Sequence, residues 1–129
     1  MDQAQESIKN YEKRLADAKA KNDVAAEGRA YGNLGNLHFS IGEFEKALEM
    51  QTKRLEIAQQ LKDEAAEGRA FCNLGCAYES LGDMEKAKEM HSKHLDIAVR
   101  TGDAAGEGAA YGKLRTGHVF IALTCCDCL

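Results

Sequence analysis

Polar side chains recur at matching positions in two segments of the chain, and their types suit the recognition of a polypeptide. In an α-helix, residues spaced i, i+4, i+7 and i+11 lie along one face. The first segment carries at this spacing Arg29, Asn33, Asn36 and Ser40. The second carries Arg69, Asn73, Cys76 and Ser80. Lys113 stands where a third copy would have its Asn.

We call eight of these residues the polar row: Arg29, Asn33, Asn36, Ser40, Arg69, Asn73, Cys76 and Lys113. An Asn amide bonds peptide N–H and C=O groups, and an Arg guanidinium binds a carboxylate through two parallel hydrogen bonds. The alternative is that these residues only face water and were copied by duplication. We expect the row to hold an extended peptide, because residues that only face water need not recur at identical positions.

The polar row belongs to a longer internal repeat. The segment Glu67–Ser80, EGRAFCNLGCAYES, matches Glu27–Ser40, EGRAYGNLGNLHFS, and the copy begins again as EGAAYGKL at Glu107–Leu114. Gly28, Gly68 and Gly108 mark a period of 40 residues. A fixed period of this length predicts a solenoid of stacked repeats.

Helices must build these repeats. The chain has no proline and is rich in Ala, Glu, Lys and Leu, which favour helices. Asp23 and Asp63 are predicted N-caps, and Gly42 and Gly82 are predicted to end helices. We predict an all-α protein with about six helices, at 2–21, 24–41, 43–61, 64–81, 83–101 and 104 to about 123. The short connections require neighbouring helices to run antiparallel.

Two glycines inside the predicted helices need an explanation. Each costs about 1 kcal/mol relative to alanine in a helix. Gly35 and Gly75 lie between apolar positions at equivalent places in the two copies. We expect the missing side chains to let the following helix approach closely.

The spacing of apolar and small residues around these glycines identifies a family. The pattern Tyr31-x-x-Leu34-Gly35-x-x-His38 then Ala47, and its copy Phe71-x-x-Leu74-Gly75-x-x-Tyr78 then Ala87, resembles the tetratricopeptide repeat from Asp2 to about Ile121. The resemblance implies a right-handed α-solenoid whose first helices line a concave groove, where Asn and basic residues hold peptides. It also implies a scaffold or adaptor that binds an extended, acidic or polar peptide.

The sequence departs from the usual form of that family in three ways. The period exceeds the usual length of about 34 residues. A KDEAAEG-type link replaces the closing proline, and larger residues replace a small one late in the second helix: Arg14, Arg54 and His94. These departures resemble the long-repeat subclass found in the Pins/LGN spindle-orientation adaptors and in large animal proteins with many such repeats.

The repeat divides the chain into a half-repeat at 1–22, repeats at 23–62 and 63–102, a half-repeat at 103–123, and an unstructured tail at 124–129. Arg115 stands where the first two copies have their packing glycine. Half-repeats leave apolar faces uncovered at both ends, with Ile8 and Leu15 on one and Leu114 and Ile121 on the other. A second hypothesis is therefore a structural module that stacks end to end as a homo-oligomer.

Composition argues against several other functions. A net charge of −4 does not favour a nucleic-acid partner, and no apolar run is long enough to span a membrane. Five cysteines without framework spacing, and no secretory signal, indicate a reducing compartment and predict the cytoplasm. We find no phosphate loop, HExxH or GxSxG motif, so we expect neither an enzyme nor a cofactor.

The cysteines and histidines are interpreted as structural. Cys72 and Cys76 share one helix, with Cys76 facing the groove, and nothing supplies further metal ligands, so no metal site is expected. His38 and His91 are predicted to pack in the core, because no Asp or Glu recurs beside them to make an acid–base pair. The end, Cys126-Asp127-Cys128-Leu129, has the outline of a prenylation box, but Asp127 is not aliphatic and lipidation is not expected.

Overall fold

The described part of the chain is entirely helical. A computed structural model describes residues 2–116 and contains α1 (Gln3–Ala20), α2 (Val24–Ser40), α3 (Phe44–Leu61), α4 (Glu64–Ser80), α5 (Met84–Thr101) and α6 (Ala104–Thr116). Over these residues the prediction of an all-α solenoid of about six helices is confirmed. The predicted extension of α6 to about Leu123, the apolar Ile121 and the tail at 124–129 lie outside the described residues.

Short polar connections set the helix boundaries. The carboxylates of Asp23, Asp63 and Asp103 each accept a hydrogen bond from the backbone N–H three residues later, at 3.0–3.1 Å. Such a cap contributes about 1 kcal/mol. Gly42 and Gly82 have φ values of 85° and 86°, a left-handed conformation that residues with a Cβ rarely adopt. The predicted caps and stops are confirmed.

Each helix packs against the next along the chain. We call α2, α4 and α6 the first helices and α3 and α5 the second helices; α1 is equivalent to a second helix by the 40-residue period. The first helices α2 and α4 also contact one another. By the family resemblance described above, the first helices are expected to line the inner face of the solenoid.

Two glycines within the first helices lie in close contact with the helix that follows. A Cβ on Gly35 would lie 2.5 Å from Gln51 Nε2, and one on Gly75 would lie 2.5 Å from His91 Cε1. Real Cβ atoms do not approach other atoms so closely, so the two side chains occupy the space that a methyl group would need. The predicted close approach of the following helix is confirmed at both positions.

A buried amide network joins α2 and α3 of the first repeat to α4 of the second. The Gln51 amide nitrogen donates to the backbone oxygen of Gly32 at 3.4 Å and to Asn36 Oδ1 at 3.3 Å. The Asn73 amide nitrogen of α4 donates to the same Asn36 oxygen at 3.3 Å. Because buried amides need partners, Asn36 fixes the register of α2, α3 and α4 together.

The second repeat has a charged pair in the equivalent place. His91 replaces Gln51, and Glu79 replaces Phe39. His91 Nε2 lies 2.6 Å from Glu79 Oε1, and the two side chains are 2% and 5% exposed. When the imidazole is protonated, this is a buried ion pair.

The expectation that no acidic residue accompanies the histidines was therefore wrong. Glu79 reaches His91 from the preceding helix, and His38 Nδ1 lies 2.9 Å from Glu43 Oε1. The hydrogen bond to His38 lowers the pKa of Glu43. Both partners come from another helix or a turn. Glu79 has no acidic counterpart in the first copy, where Phe39 stands, so the repeat pattern gives no sign of its pair with His91.

We predict that Gly75→Ala destabilises the protein by about 1–2 kcal/mol. The new methyl group must displace the His91 ring, and this overpacking outweighs the gain of about 1 kcal/mol in helix propensity. Urea unfolding followed by circular dichroism measures the difference. Gly108→Ala is the matched control, because no atom of residues 2–116 outside the nearby backbone of α6 lies within 4 Å of its would-be Cβ. That control should stabilise by about 0.5–1 kcal/mol, and equal effects of the two changes would contradict the packing role.

We also predict that His91→Ala costs about 3 kcal/mol of unfolding free energy, because it leaves the Glu79 carboxylate buried without its partner. The double variant Glu79→Gln/His91→Ala also removes the buried negative charge and should recover part of the loss. The same urea titration compares both variants with the unaltered chain. A double variant no more stable than His91→Ala would contradict a loss caused by the unpaired carboxylate.

Candidate peptide-binding face

The structure divides the polar row into exposed and buried members. Four side chains are exposed: Arg29, Asn33, Ser40 and Arg69. Asn36 is half-buried in the amide network. Three are buried: Asn73, Cys76 and Lys113.

The two arginines carry the strongest chemistry of the exposed group. Arg29 and Arg69 occupy the same position of α2 and α4, one repeat apart. Within residues 2–116 neither guanidinium makes a hydrogen bond or an ion pair. Each is thus available to take a carboxylate in a bidentate hydrogen bond, the geometry that arginine favours.

The two equivalent asparagines lie in different surroundings. Asn73 is 5% exposed, because α2 lies against it and Asn36 accepts its hydrogen bond. Asn33 is exposed, since no described helix covers the same face of α2. It lines a cleft of about 430 Å³ with Arg29 and with Tyr11 and Arg14 of α1. The row was predicted to be one accessible stripe, but part of it forms the contact between first helices.

The prediction that Cys76 faces a groove was wrong, because its side chain is 0% exposed. It packs with Cys72 and Phe39 in a small cluster, and neither cysteine forms a disulfide within the described residues. Lys113 is buried and lines a small cavity with Glu79 and His91. The helical spacing correctly placed these residues on one face. It did not show that the next first helix packs against that face.

Ser40 is exposed, but its hydroxyl donates to the Leu37 backbone oxygen of its own helix at 2.7 Å. It is the end of the row and is partly committed to closing α2. The exposed chemistry of the face therefore rests on Arg29, Asn33 and Arg69.

Two other kinds of feature are absent from the described residues. In the segment 2–116, no group of three or more His, Cys, Asp or Glu side chains is placed to hold a metal ion. No helix there has the length and apolar character needed to cross a membrane.

Sequence reasoning did not find the clefts that accompany the arginines. Arg69 lines a second cleft, of about 550 Å³, between α4, α5 and α6. The sequence gives only a weak sign of this cleft: the small residues Gly106 and Ala109 stand where the preceding copy has Ala66 and Arg69. Small residues indicate a cleft only when it is known which helices meet at those positions.

Comparison with known proteins agrees with this architecture. Curated relatives include G-protein-signaling modulator 1 from Mus musculus, Rattus norvegicus and Homo sapiens, each 54% identical over 37 residues. The matched segment is 29% of this chain and 6% of each relative, so the chain spans only a small part of their length. The sequence model of the tetratricopeptide repeat matches residues 27–100, more than half of the chain. The protein belongs to the tetratricopeptide repeat family.

Proposed function

We propose that the protein is an interaction scaffold that binds an extended, acidic polypeptide across the inner face of α2 and α4. The observation that carries this proposal is the pair Arg29 and Arg69. They are exposed, lack partners within residues 2–116, and occupy the same position of neighbouring first helices. Two such cations, one repeat apart, suit a chain with carboxylates at intervals along its length.

Asn33 adds contacts that do not depend on the sequence of the ligand. Its amide lies beside Arg29 in the cleft between α1 and α2 and offers both a donor and an acceptor. An extended peptide has unpaired backbone N–H and C=O groups that such an amide satisfies. Asn73 is not proposed as a contact, because its amide already joins α4 to α2.

The relatives support the repeat and leave the partner open. G-protein-signaling modulator 1 matches this chain over 37 residues, fewer than one 40-residue period. The proposed partner is therefore defined by its chemistry, as an acidic protein segment. Cys72 and Cys76 form no disulfide within residues 2–116, which suits a reducing compartment, and we propose the cytoplasm as the location.

We predict that Arg29→Glu/Arg69→Glu weakens acidic-peptide binding roughly tenfold per arginine, since each change removes a charge-assisted contact and introduces repulsion. A phage-displayed library of random peptides, selected on the full chain, supplies the ligand. Fluorescence anisotropy of the selected, labelled peptide then measures the dissociation constant. We expect the selected sequences to be rich in Asp and Glu, and binding to weaken as salt is added.

The matched control is Lys9→Glu/Lys88→Glu, which makes the same change in net charge on α1 and α5. This control should bind the peptide nearly as well as the unaltered chain. Equal weakening in both double variants, or selected peptides without acidic residues, would contradict the proposed face.

A second candidate function is head-to-tail assembly of copies. Tyr111 of α6 is 55% exposed, whereas its equivalents Tyr31 and Phe71 are 5% exposed. Lys53 of α3 and Lys93 of α5 lie over those two rings, at 5.5 and 5.6 Å from the centroids. No helix in the described part of the chain covers Tyr111 in this way.

The helix α1 has the character needed to cover that face in another copy. By the 40-residue period, its Lys13 is equivalent to Lys53 and Lys93, and its Leu15 to Leu55 and Leu95. If α1 of one copy packs on α6 of the next, the two form one complete repeat. The surfaces that meet are different, so the contact propagates rather than closing into a dimer.

We predict that the average mass in sedimentation experiments rises with protein concentration and that Tyr111→Glu abolishes the rise, because a carboxylate cannot be buried under α1. Val99→Glu, which places the same charge at a similarly exposed apolar residue of α5, is the control and should still assemble. A monomeric mass at all concentrations, or equal assembly of the Tyr111 variant, would exclude this second function.

A further inference from the structure

A cleft between α4, α5 and α6 is not yet explained by the binding face. Its volume is about 550 Å³. The walls are mainly apolar and come from all three helices: Ala65, Gly68, Ile97, Ala98, Ala105 and Ala109. This volume falls within the range of about 300–1,000 Å³ typical of ligand pockets.

The cleft exists because this junction has smaller side chains than its counterpart. Where α2, α3 and α4 meet, the equivalent positions hold Arg54, Ala66 and Arg69. Where α4, α5 and α6 meet, they hold the smaller His94, Gly106 and Ala109.

The side chains at the equivalent positions 54 and 94 pack against different residues. The Arg54 guanidinium lies 2.9 Å from the position that a Cβ on Gly32 would take. In the next copy Cys72 replaces Gly32 and occupies that space. The His94 ring instead lies against the backbone of Gly68 and Gly106, 3.5 and 3.3 Å from their would-be Cβ atoms. The space beyond the ring stays open.

One cation at the edge of the cleft is available to an anionic group. Glu64 accepts two hydrogen bonds from Arg100, at 2.9 and 3.2 Å, and is paired with that cation. Asp103 accepts a hydrogen bond from the backbone N–H of Gly106 and caps α6, where the helix N-terminus favours its negative charge. Arg69 makes neither a hydrogen bond nor an ion pair within residues 2–116, so its guanidinium can take a carboxylate.

We infer that this cleft takes a large apolar side chain of the bound polypeptide, with an acidic residue next to it in sequence that Arg69 holds. This inference rests on the proposed function, since it assigns part of the ligand to that face. The apolar walls account for the side chain, and Arg69 accounts for the carboxylate. Because Arg69 also belongs to the polar row, one extended chain reaches both the cleft and Arg29.

The test uses N-acetyl-Leu-Glu-amide as the probe and amide NMR shifts of the full chain as the readout. We expect saturable shifts at Gly68, Gly106 and Ala109. N-acetyl-Leu-Gln-amide and N-acetyl-Ala-Glu-amide should each bind severalfold more weakly, because each lacks one of the two features. Equal binding of all three probes, or shifts confined to other helices, would overturn the inference.

Two variants separate the apolar and the charged contributions. Ala109→Leu fills the cleft and should abolish the shifts, whereas Ala104→Leu, at the exposed start of α6, should leave them unchanged. Arg69→Gln should keep binding to the leucine side chain and lose the preference for Glu over Gln. Unchanged binding by Ala109→Leu, or an unchanged preference in Arg69→Gln, would overturn the inference. Because Arg69 is exposed, Arg69→Gln should not disturb the packing of the helices.

The outcome for the cleft is distinguishable from the outcome for the binding face. If the library-selected acidic peptide binds and depends on Arg29, but Ala109→Leu binds it equally well, the cleft inference fails while the proposed function stands. If the dipeptide probe binds the cleft and the Arg29→Glu variant binds the selected peptide normally, the proposed face fails instead.

Discussion

The architecture depends on how closely a second helix approaches the first helix before it. At Gly35 and Gly75 the facing side chains, Gln51 and His91, fill the space that a Cβ would need. Neither glycine favours the helix in which it stands. Their positions are understandable only as a packing requirement between helices, repeated with a period of 40 residues. Close approach at these two points fixes the orientation of each helix pair.

That approach also determines which polar groups remain accessible. The pairs stack with α4 against α2, so Asn73 enters the contact between first helices, while its equivalent Asn33 stays exposed. Arg29 and Arg69 precede those asparagines by one turn and remain outside the contact. Duplicated residues therefore have different roles, set by the neighbour that each one meets. The proposed binding face consists of the members of the row that the stacking leaves uncovered.

Much of the fold could be predicted because the signals for it are local. Helix limits follow from Asp23, Asp63, Gly42 and Gly82, whose caps and turns involve neighbours in sequence. The family pattern and the packing glycines also repeat within the chain. The site was predicted less well, since exposure depends on contacts between helices far apart in sequence. The spacing of Cys76 was correct for its helix face, but nothing local shows that this face is buried. The His91–Glu79 pair was missed because Glu79 has no counterpart in the first copy, which carries Phe39.

The contact between Gly75 and His91 sets the pairing of α4 with α5, and the exposed face and the cleft both depend on it. Nuclear Overhauser effects between the Gly75 α-protons and the His91 ring protons measure that contact in solution. The structure predicts strong effects, since the ring carbon Cε1 lies 2.5 Å from the would-be Cβ of Gly75. Their absence, or effects from Gly75 to another helix instead, would contradict the packing on which the exposed face and the cleft are both built.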